Sequence, residues 1–272
     1  MKKTRQRGIG QPESRLGAVV LARANSGEAD LVVTFLTREL GLITALAKNA
    51  RKSIRRFGGG LLSPGRAAWY DFRLRPYAEL GLVVRGEDNP QFPSLPPEPV
   101  ALALASWAVE LVRSLEAPRN PARLSFNLLV RHLVRLARCA DFHPPALEPR
   151  RLSLGFTKCY LEVAGFGPDL SACEYCGQRP ESGLWAWDAA RGTVLCPKCT
   201  NSGDRAVSGE LLQGLSAIDN HLAAPSLSSE SLATAEGFFV KMASLASDRA
   251  YKSRRVLAAL LKDSPEPGFP ES

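Results

Sequence analysis

Between Leu16 and Gly86 the hydrophobic residues fall in short runs that alternate with polar positions. The runs are Leu16–Ala24, Leu31–Thr37, Leu42–Ala47, Ala67–Leu74 and Leu80–Val84. They are rich in β-branched or aromatic residues and are bounded by Gly, Asn, Asp or Pro, which is a strand signature. Arg38-Glu39-Leu40-Gly41 reads as a tight connection between the second and third runs, with Gly41 free to take a positive φ. Five strands in about 70 residues predict a small closed barrel. The five-stranded OB-fold is the leading candidate, and an SH3-like barrel is its competitor.

After the barrel the period changes. Residues 87–99 (EDNPQFPSLPPEP) carry five prolines and read as a linker. Val100–Leu115 is apolar nearly all round, as in a buried helix. Asn120-Pro121 fits a helix cap followed by proline at the first helical position. In Pro121–Ala140 the residues Leu124, Leu128, Leu129, Leu133 and Leu136 form an apolar stripe, with Arg123, Arg131, Arg135 and Arg138 together on another face. Leu152–Ala164, Gly209–His221 and Ser231–Leu261, which admits a break, supply further helices.

Charge sharpens this division. The formal net charge of the 272 residues is +8, and residues 1–90 hold sixteen Lys+Arg against eight Asp+Glu, whereas residues 91–272 hold nineteen of each. All the excess positive charge therefore lies in the first third, as expected of a module that meets a polyanion. The segment Lys48–Gly65 packs Lys48, Arg51, Lys52, Arg55 and Arg56 into nine residues. With Arg38 and Arg73 these form the candidate nucleic-acid-binding set. Phe57, Trp69, Tyr70 and Phe72 are the nearby aromatics, and at least two of them are expected inside the barrel. The longest stretch without a charged residue is Pro99–Val109, too short to span a bilayer, and the basic start lacks the apolar core of a secretory signal. A soluble cytoplasmic protein with no membrane role is expected.

The strongest local motif is a pair of Cys-x-x-Cys knuckles, Cys173–Cys176 and Cys196–Cys199. This spacing suits one tetrahedral structural Zn²⁺ with no open coordination position. A pair of disulfides, a redox-active pair and an iron–sulfur cluster compete with it. The segment between the knuckles reads as a short hairpin turning at Arg191-Gly192. Cys139 and Cys159 read as small buried apolar groups. His132, His143 and His221 are scattered, and no catalytic signature such as HExxH, GxSxG or a Walker A loop is present, so no catalytic residue and no enzyme activity is expected.

Several of these stretches together resemble the RecO family of bacterial recombination mediators. They are Ser26–Gly59 (SGEADLVVTFLTRELGLITALAKNARKSIRRFGG), Gly155–Gly177 (GFTKCYLEVAGFGPDLSACEYCG), CPKC and the late KSRRVL at Lys252–Leu257. The resemblance spans about residues 14–262, with Lys48-Asn49-Ala50 standing where the family more often has Lys-Gly. It implies a multidomain α+β protein. The expected parts are an OB-fold barrel at 14–87, a linker at 88–99, a helical domain at 100–170 and 205–262, a zinc-binding insertion at 171–204 and a disordered tail at 263–272. It also implies DNA repair and recombination in the RecF pathway of the cytoplasm and nucleoid. Such a protein binds ssDNA and dsDNA, anneals complementary strands coated by single-stranded-DNA-binding protein (SSB), and joins RecR in loading RecA. Arg123, Arg131, Arg135 and Arg138 could receive the acidic, apolar-tipped SSB tail, or could be no more than a solvated helix face. A different class of function stays open: a zinc-dependent, non-catalytic adaptor whose basic barrel binds protein and no DNA.

Overall fold

The computed structural model describes residues 13–75, 78–92, 95, 98–138, 147–200, 205–218 and 227–260, with backbone alone at 147–149 and 205. The residues Cys139, His143 and His221 and the 263–272 tail lie outside that set. The chain divides into two compact units, one of residues up to Phe92 with Ala117–Arg123, the other of Pro93–Glu116 and Leu124 onward.

The first unit is a closed barrel of β1 (Ser14–Ser26), β2 (Asp30–Thr37), β3 (Gly41–Ala47), β4 (Ala67–Arg73) and β5 (Leu80–Glu87), in the order β1-β2-β3-β5-β4. All pairs are antiparallel except β3 with β5, where Thr44 faces Leu80 and Leu46 faces Leu82. This is the OB-fold arrangement. Alternate residues point inward: Val33 and Phe35 from β2, Ile43 and Ala45 from β3, Tyr70 and Phe72 from β4. Phe35 meets Tyr70 and Phe72 at centroid distances of 4.9 and 5.1 Å, a tilted and an edge-on contact that fill the centre. β1 and β5 run past their hydrophobic runs because their polar ends still pair with neighbours.

The connection from β3 to β4 is more ordered than a basic loop. Asn49, at φ 51°, starts a single 3-10 turn (Ala50–Lys52), and one turn of helix α1 (Ile54–Phe57) follows. Phe57, Leu61 and Leu62 then enter the barrel core, and the Tyr70 hydroxyl donates to the Leu61 carbonyl. The cations of this segment are thus carried on a support fixed by apolar burial.

Residues 117–123 fall in the span expected to belong to the helical domain, yet they pack on the barrel. Pro118 bridges Leu42, Arg119 N–H donates to the Leu42 carbonyl (3.2 Å) and Ala122 N–H to the Arg38 carbonyl (3.2 Å). Gly41 permits this approach: its φ is +63°, and a Cβ there would lie 2.0 Å from the Asn120 carbonyl oxygen. Asn120-Pro121 therefore lies in this docked segment, and the next helix begins at Arg123.

The second unit contains α2 (Pro99–Leu115), α3 (Arg123–Arg138), α4 (Leu147–Val163), α5 (Gly209–Ser216), α6 (Ser229–Ser247) and α7 (Lys252–Leu260). A small antiparallel sheet completes it: β6 (Leu184–Asp188), β7 (Thr193–Leu195) and β8 (Arg205–Ser208), in the order β7-β6-β8. Glu98 caps α2 by accepting from the Val100 and Ala101 amides, with Pro99 at the first helical position. α2 packs against α4, α6 and α7, which buries most of its circumference and leaves Leu102, Ser106 and Arg113 exposed. Its Glu110 accepts from the Ser253 amide (2.9 Å), capping α7 from a neighbouring helix. Arg150 of α4 and Arg254 of α7 both reach Glu236 of α6, at 2.7 and 2.8 Å, a buried triad that ties three helices together. The break between α6 and α7 is Asp248, at φ 51°.

His132 of α3 is fully buried, stacked on Phe156 at 4.5 Å, and neither ring nitrogen has a hydrogen-bond partner. Burial, and secondarily the Arg135 charge, hold its pKa down to about 3. An unfolded histidine titrates near 6.5, so protons favour the unfolded chain below that pH; stability is complete above it and falls as pH drops toward about 3. Between pH 7 and pH 5 the native protein should lose roughly 2 kcal/mol more than a His132→Leu variant, measured by urea unfolding. Equal losses in the two proteins would refute the assignment.

Candidate nucleic-acid interface and metal centre

The charged residues of the barrel sort into two populations. Around β1, β4 and β5 most are compensated: Arg15 pairs with Glu87 (3.0 Å), Arg73 with Glu13 (2.6 Å), Arg85 with Asp71, and Arg66 with Asp88, while Arg23 of β1 and Arg75 after β4 have no side-chain partner among the described residues. Around β3 and its connections they are not. Arg38, Lys48, Lys52 and Arg55 are exposed, and their side chains have no ion pair or hydrogen bond among the described residues. Arg51 is exposed too, with one bond from Nη1 to the Glu28 carbonyl (3.1 Å).

Arg56 has a different part from its neighbours. Its guanidinium donates to Ser53 Oγ (2.9 Å), the Lys48 carbonyl (2.6 Å) and the Val84 carbonyl (3.5 Å), and lies 5.1 Å over the Phe57 ring. It ties the β3–β4 connection to β5. Of the candidate aromatics, Phe57, Tyr70 and Phe72 are core; Trp69 alone is exposed, on the outer face of β4 with Arg15 at 5.8 Å.

The outer faces of β3 and β5 carry leucines where a purely solvated strand would carry polar residues. Leu46, Leu80 and Leu82 floor an open groove of about 590 Å³ whose rim holds Lys48, Arg73 and Arg75. Toward the start of β3 this groove shares Arg75 and Gly81 with a pocket of about 260 Å³. Leu40, Ile43 and Leu74 form the pocket's apolar wall, with Arg75, Glu79 and Arg119 around it. Arg119 sits at φ +54°, an unfavourable conformation for a residue with a Cβ, held by the hydrogen bond its N–H donates to the Leu42 carbonyl. The guanidinium groups of Arg75 and Arg119 have no partner among the described residues. Sequence reasoning missed both. Leucine on the outer faces of β3 and β5, opposite inward Ile43, Ala45 and Val83, was a usable signal for the groove; nothing local announces Arg119, which reaches the barrel through the Gly41 contact.

On α3, Arg123, Arg131 and Arg138 are exposed and Arg135 is half-buried, and Arg131 and Arg135 already have partners. Leu124, expected in the apolar stripe, is 68% exposed, while Leu128, Leu129, Leu133 and Leu136 are buried. Leu124 lies in the first turn of α3, before the helix enters its packed stretch.

The two cysteine knuckles converge. Gly177, at φ +72°, closes the first turn with its amide on the Cys173 carbonyl, and the Cys199 amide closes the second on the Cys196 carbonyl (both 2.9 Å). β6 and β7, joined by the turn through Gly192, bring the knuckles together, with Cys173 bridged to Val194. The Sγ atoms of Cys173, Cys176, Cys196 and Cys199 all lie within 4.8 Å of one another, and those of Cys176 and Cys196 are 3.6 Å apart. A tetrahedral ion with bonds of ~2.3 Å needs sulfurs ~3.8 Å apart, so the set fits one metal ion. All four are free thiols, far from the ~2.0 Å of a disulfide. Burial raises the Cys173 pKa, but the amides of Cys196, Cys176 and Tyr175 outweigh it and bring it to about 6. Hydrogen bonding to Cys196, then burial, pushes Cys199 up to about 12. Without a cation one thiolate is favoured and a second is opposed, which is the electrostatics of a site that needs a metal to ionise fully. Cys159 is buried in α4 and is not one of the four clustered thiols.

Residues 12–88 match the family described as Recombination protein O N terminal, and residues 96–254 match Recombination protein O C terminal. The DNA repair protein RecO of Anaeromyxobacter dehalogenans strain 2CP-1 is 36% identical over 92% of this chain and 96% of its own. Those of Synechococcus sp. strain JA-3-3Ab and Myxococcus xanthus are 30% and 34% identical, over 90% and 76% of this chain and 84% and 82% of theirs.

The two adjacent arginines of α1 give a direct check on the geometry. Arg56→Ala should lower stability by roughly 1–3 kcal/mol through lost charge-assisted hydrogen bonds, whereas Arg55→Ala should stay within about 0.5 kcal/mol of wild type. Chemical unfolding of both variants measures this; equal stabilities would contradict the described roles.

Proposed function

Because the chain belongs to the RecO family of DNA repair proteins, we propose that its barrel binds single- and double-stranded DNA through the uncompensated cations beside β3. The observation that carries this is the charge segregation: acidic residues neutralise Arg15, Arg66, Arg73 and Arg85 around β1, β4 and β5, while Arg38, Lys48, Lys52 and Arg55, clustered beside β3, are left for an outside anion. Arg51 and Arg73 supplement them, and the Arg73–Glu13 pair is exposed enough to exchange its carboxylate for a phosphate. Arg56 positions the set.

Bound this way, two strands have part of their phosphate repulsion screened while their base edges stay free to search for pairing, with little sequence preference from the backbone contacts. The reading extends to the family's setting: annealing of SSB-coated strands, the SSB tail received on α3 near Arg123, Arg131, Arg135 and Arg138, and joint work with RecR in loading RecA, without RecF as a direct contact. The protein acts as a non-catalytic mediator in the cytoplasm and nucleoid. The cysteine site holds one structural Zn²⁺, since four thiolates leave no position for a reacting water. Sulfurs this close favour one ion over an iron–sulfur cluster, whose several irons hold their thiolates further apart.

In a salt titration of oligonucleotide binding, the triple variant Lys48→Gln, Lys52→Gln and Arg55→Gln should lower the log–log slope by about 2, at ~0.7 per lost single-strand contact. It should also slow annealing of naked and SSB-coated complementary strands while unfolding at the wild-type temperature. An unchanged slope would remove these residues from the interface, and absence of DNA binding at low salt would favour the adaptor reading.

The purified protein should carry one zinc per chain. Chelation or Cys196→Ser should red-shift the tryptophan emission, because Trp185 and Trp187 are buried in the hairpin between the knuckles. A metal-free protein whose emission ignores chelator would defeat the site.

A further inference from the structure

The pocket at the start of β3 has a chemistry that the groove does not. Its wall of Leu40, Ile43 and Leu74 is apolar, two guanidinium groups without partners among the described residues stand beside it, and among its described lining residues one exposed carboxylate, Glu79, is paired with neither. An all-cationic rim would serve any anion. The carboxylate is what narrows the choice.

We infer that this pocket receives one nucleobase turned out of a single strand lying in the β3–β5 groove, and that Glu79 selects bases bearing an exocyclic amine. The inference rests on the DNA-binding reading above and names a specificity element within it. Continuity supports it, since groove and pocket share Arg75 and Gly81, so a strand following the leucine floor passes the pocket mouth. At about 260 Å³ the pocket is near the lower end of ligand-pocket sizes, suited to a flat ring and too small for a folded segment. Arg75 and Arg119 match the phosphates on either side of the turned-out base.

Glu79 argues against an acidic peptide, whose carboxylates it would repel, and in favour of a donor-bearing base. Cytosine offers its N4 amine to a carboxylate. Thymine's single N–H lies between two carbonyl oxygens, which oppose the same approach. The docked segment 117–123 makes the pocket complete, since it supplies Arg119.

The test compares oligo-dC with oligo-dT, pyrimidines of matched size, by fluorescence anisotropy on the full chain at pH 7.5. Oligo-dC should bind about fivefold tighter. Glu79→Gln should bring the two within twofold of each other. Arg119→Gly, which keeps the positive φ, should weaken both equally and lower each salt slope by about 0.7. Equal binding of the two oligonucleotides by wild type, or a preference that survives Glu79→Gln, overturns the base socket and leaves the groove standing. Failure to bind either at low salt overturns the DNA reading itself. A peptide of Asp and Phe that competes for the pocket through Arg75 and Arg119, with no base preference, reassigns it to a protein partner.

Discussion

Closure of the barrel is the constraint on which the rest depends. Five strands returning β4 onto β1 leave no free edge, and the interior is filled by Phe35, Tyr70 and Phe72 without room for a charge. Every described Lys and Arg of the barrel must therefore stand on the outside. Phe57, Leu61 and Leu62 extend the same logic to the β3–β4 connection. Their burial anchors a segment that its own charge would otherwise repel from itself, so Lys48, Lys52 and Arg55 are presented on a fixed support.

What separates a usable cation from an idle one is its partners, and composition does not record partners. The same net positive charge could have been spread evenly. Instead Glu13, Asp71, Glu87 and Asp88 are spent on arginines around β1, β4 and β5, and the cations clustered beside β3 are left without a carboxylate. Arg55 and Arg56 show how local this is. They are neighbours in sequence and identical in chemistry, yet the side chain of one has no partner among the described residues while the other is committed to three acceptors.

Much of the fold was legible because it is written in short-range pattern. Alternation gave the five strands, and Trp69–Phe72 showed it most clearly, with Tyr70 and Phe72 inward and Trp69 outward. The cysteine spacing gave the metal cluster because ligand geometry leaves few ways to arrange two knuckles. Long-range features were not legible. The parallel β3–β5 pairing that closes the barrel, strand β8 beyond the second knuckle, and the groove over Leu46, Leu80 and Leu82 depend on residues far apart in the chain. Leu124 was read as core by period alone, which cannot say where a helix begins to be covered.

The contact between Gly41 and Asn120 bears on how the molecule may be dissected. After Phe92 the chain leaves the barrel, builds α2 and returns with Ala117–Arg123 before leaving again. A gene fragment truncated in the proline-rich stretch would encode all five strands yet strip the Arg38 and Leu42 carbonyls of their amide donors. It would also open one end of the cavity beside Leu40 and Ile43 to water. The spatial module and the sequence module are thus different objects, and a portable version of the barrel has to carry a second, discontinuous peptide with it.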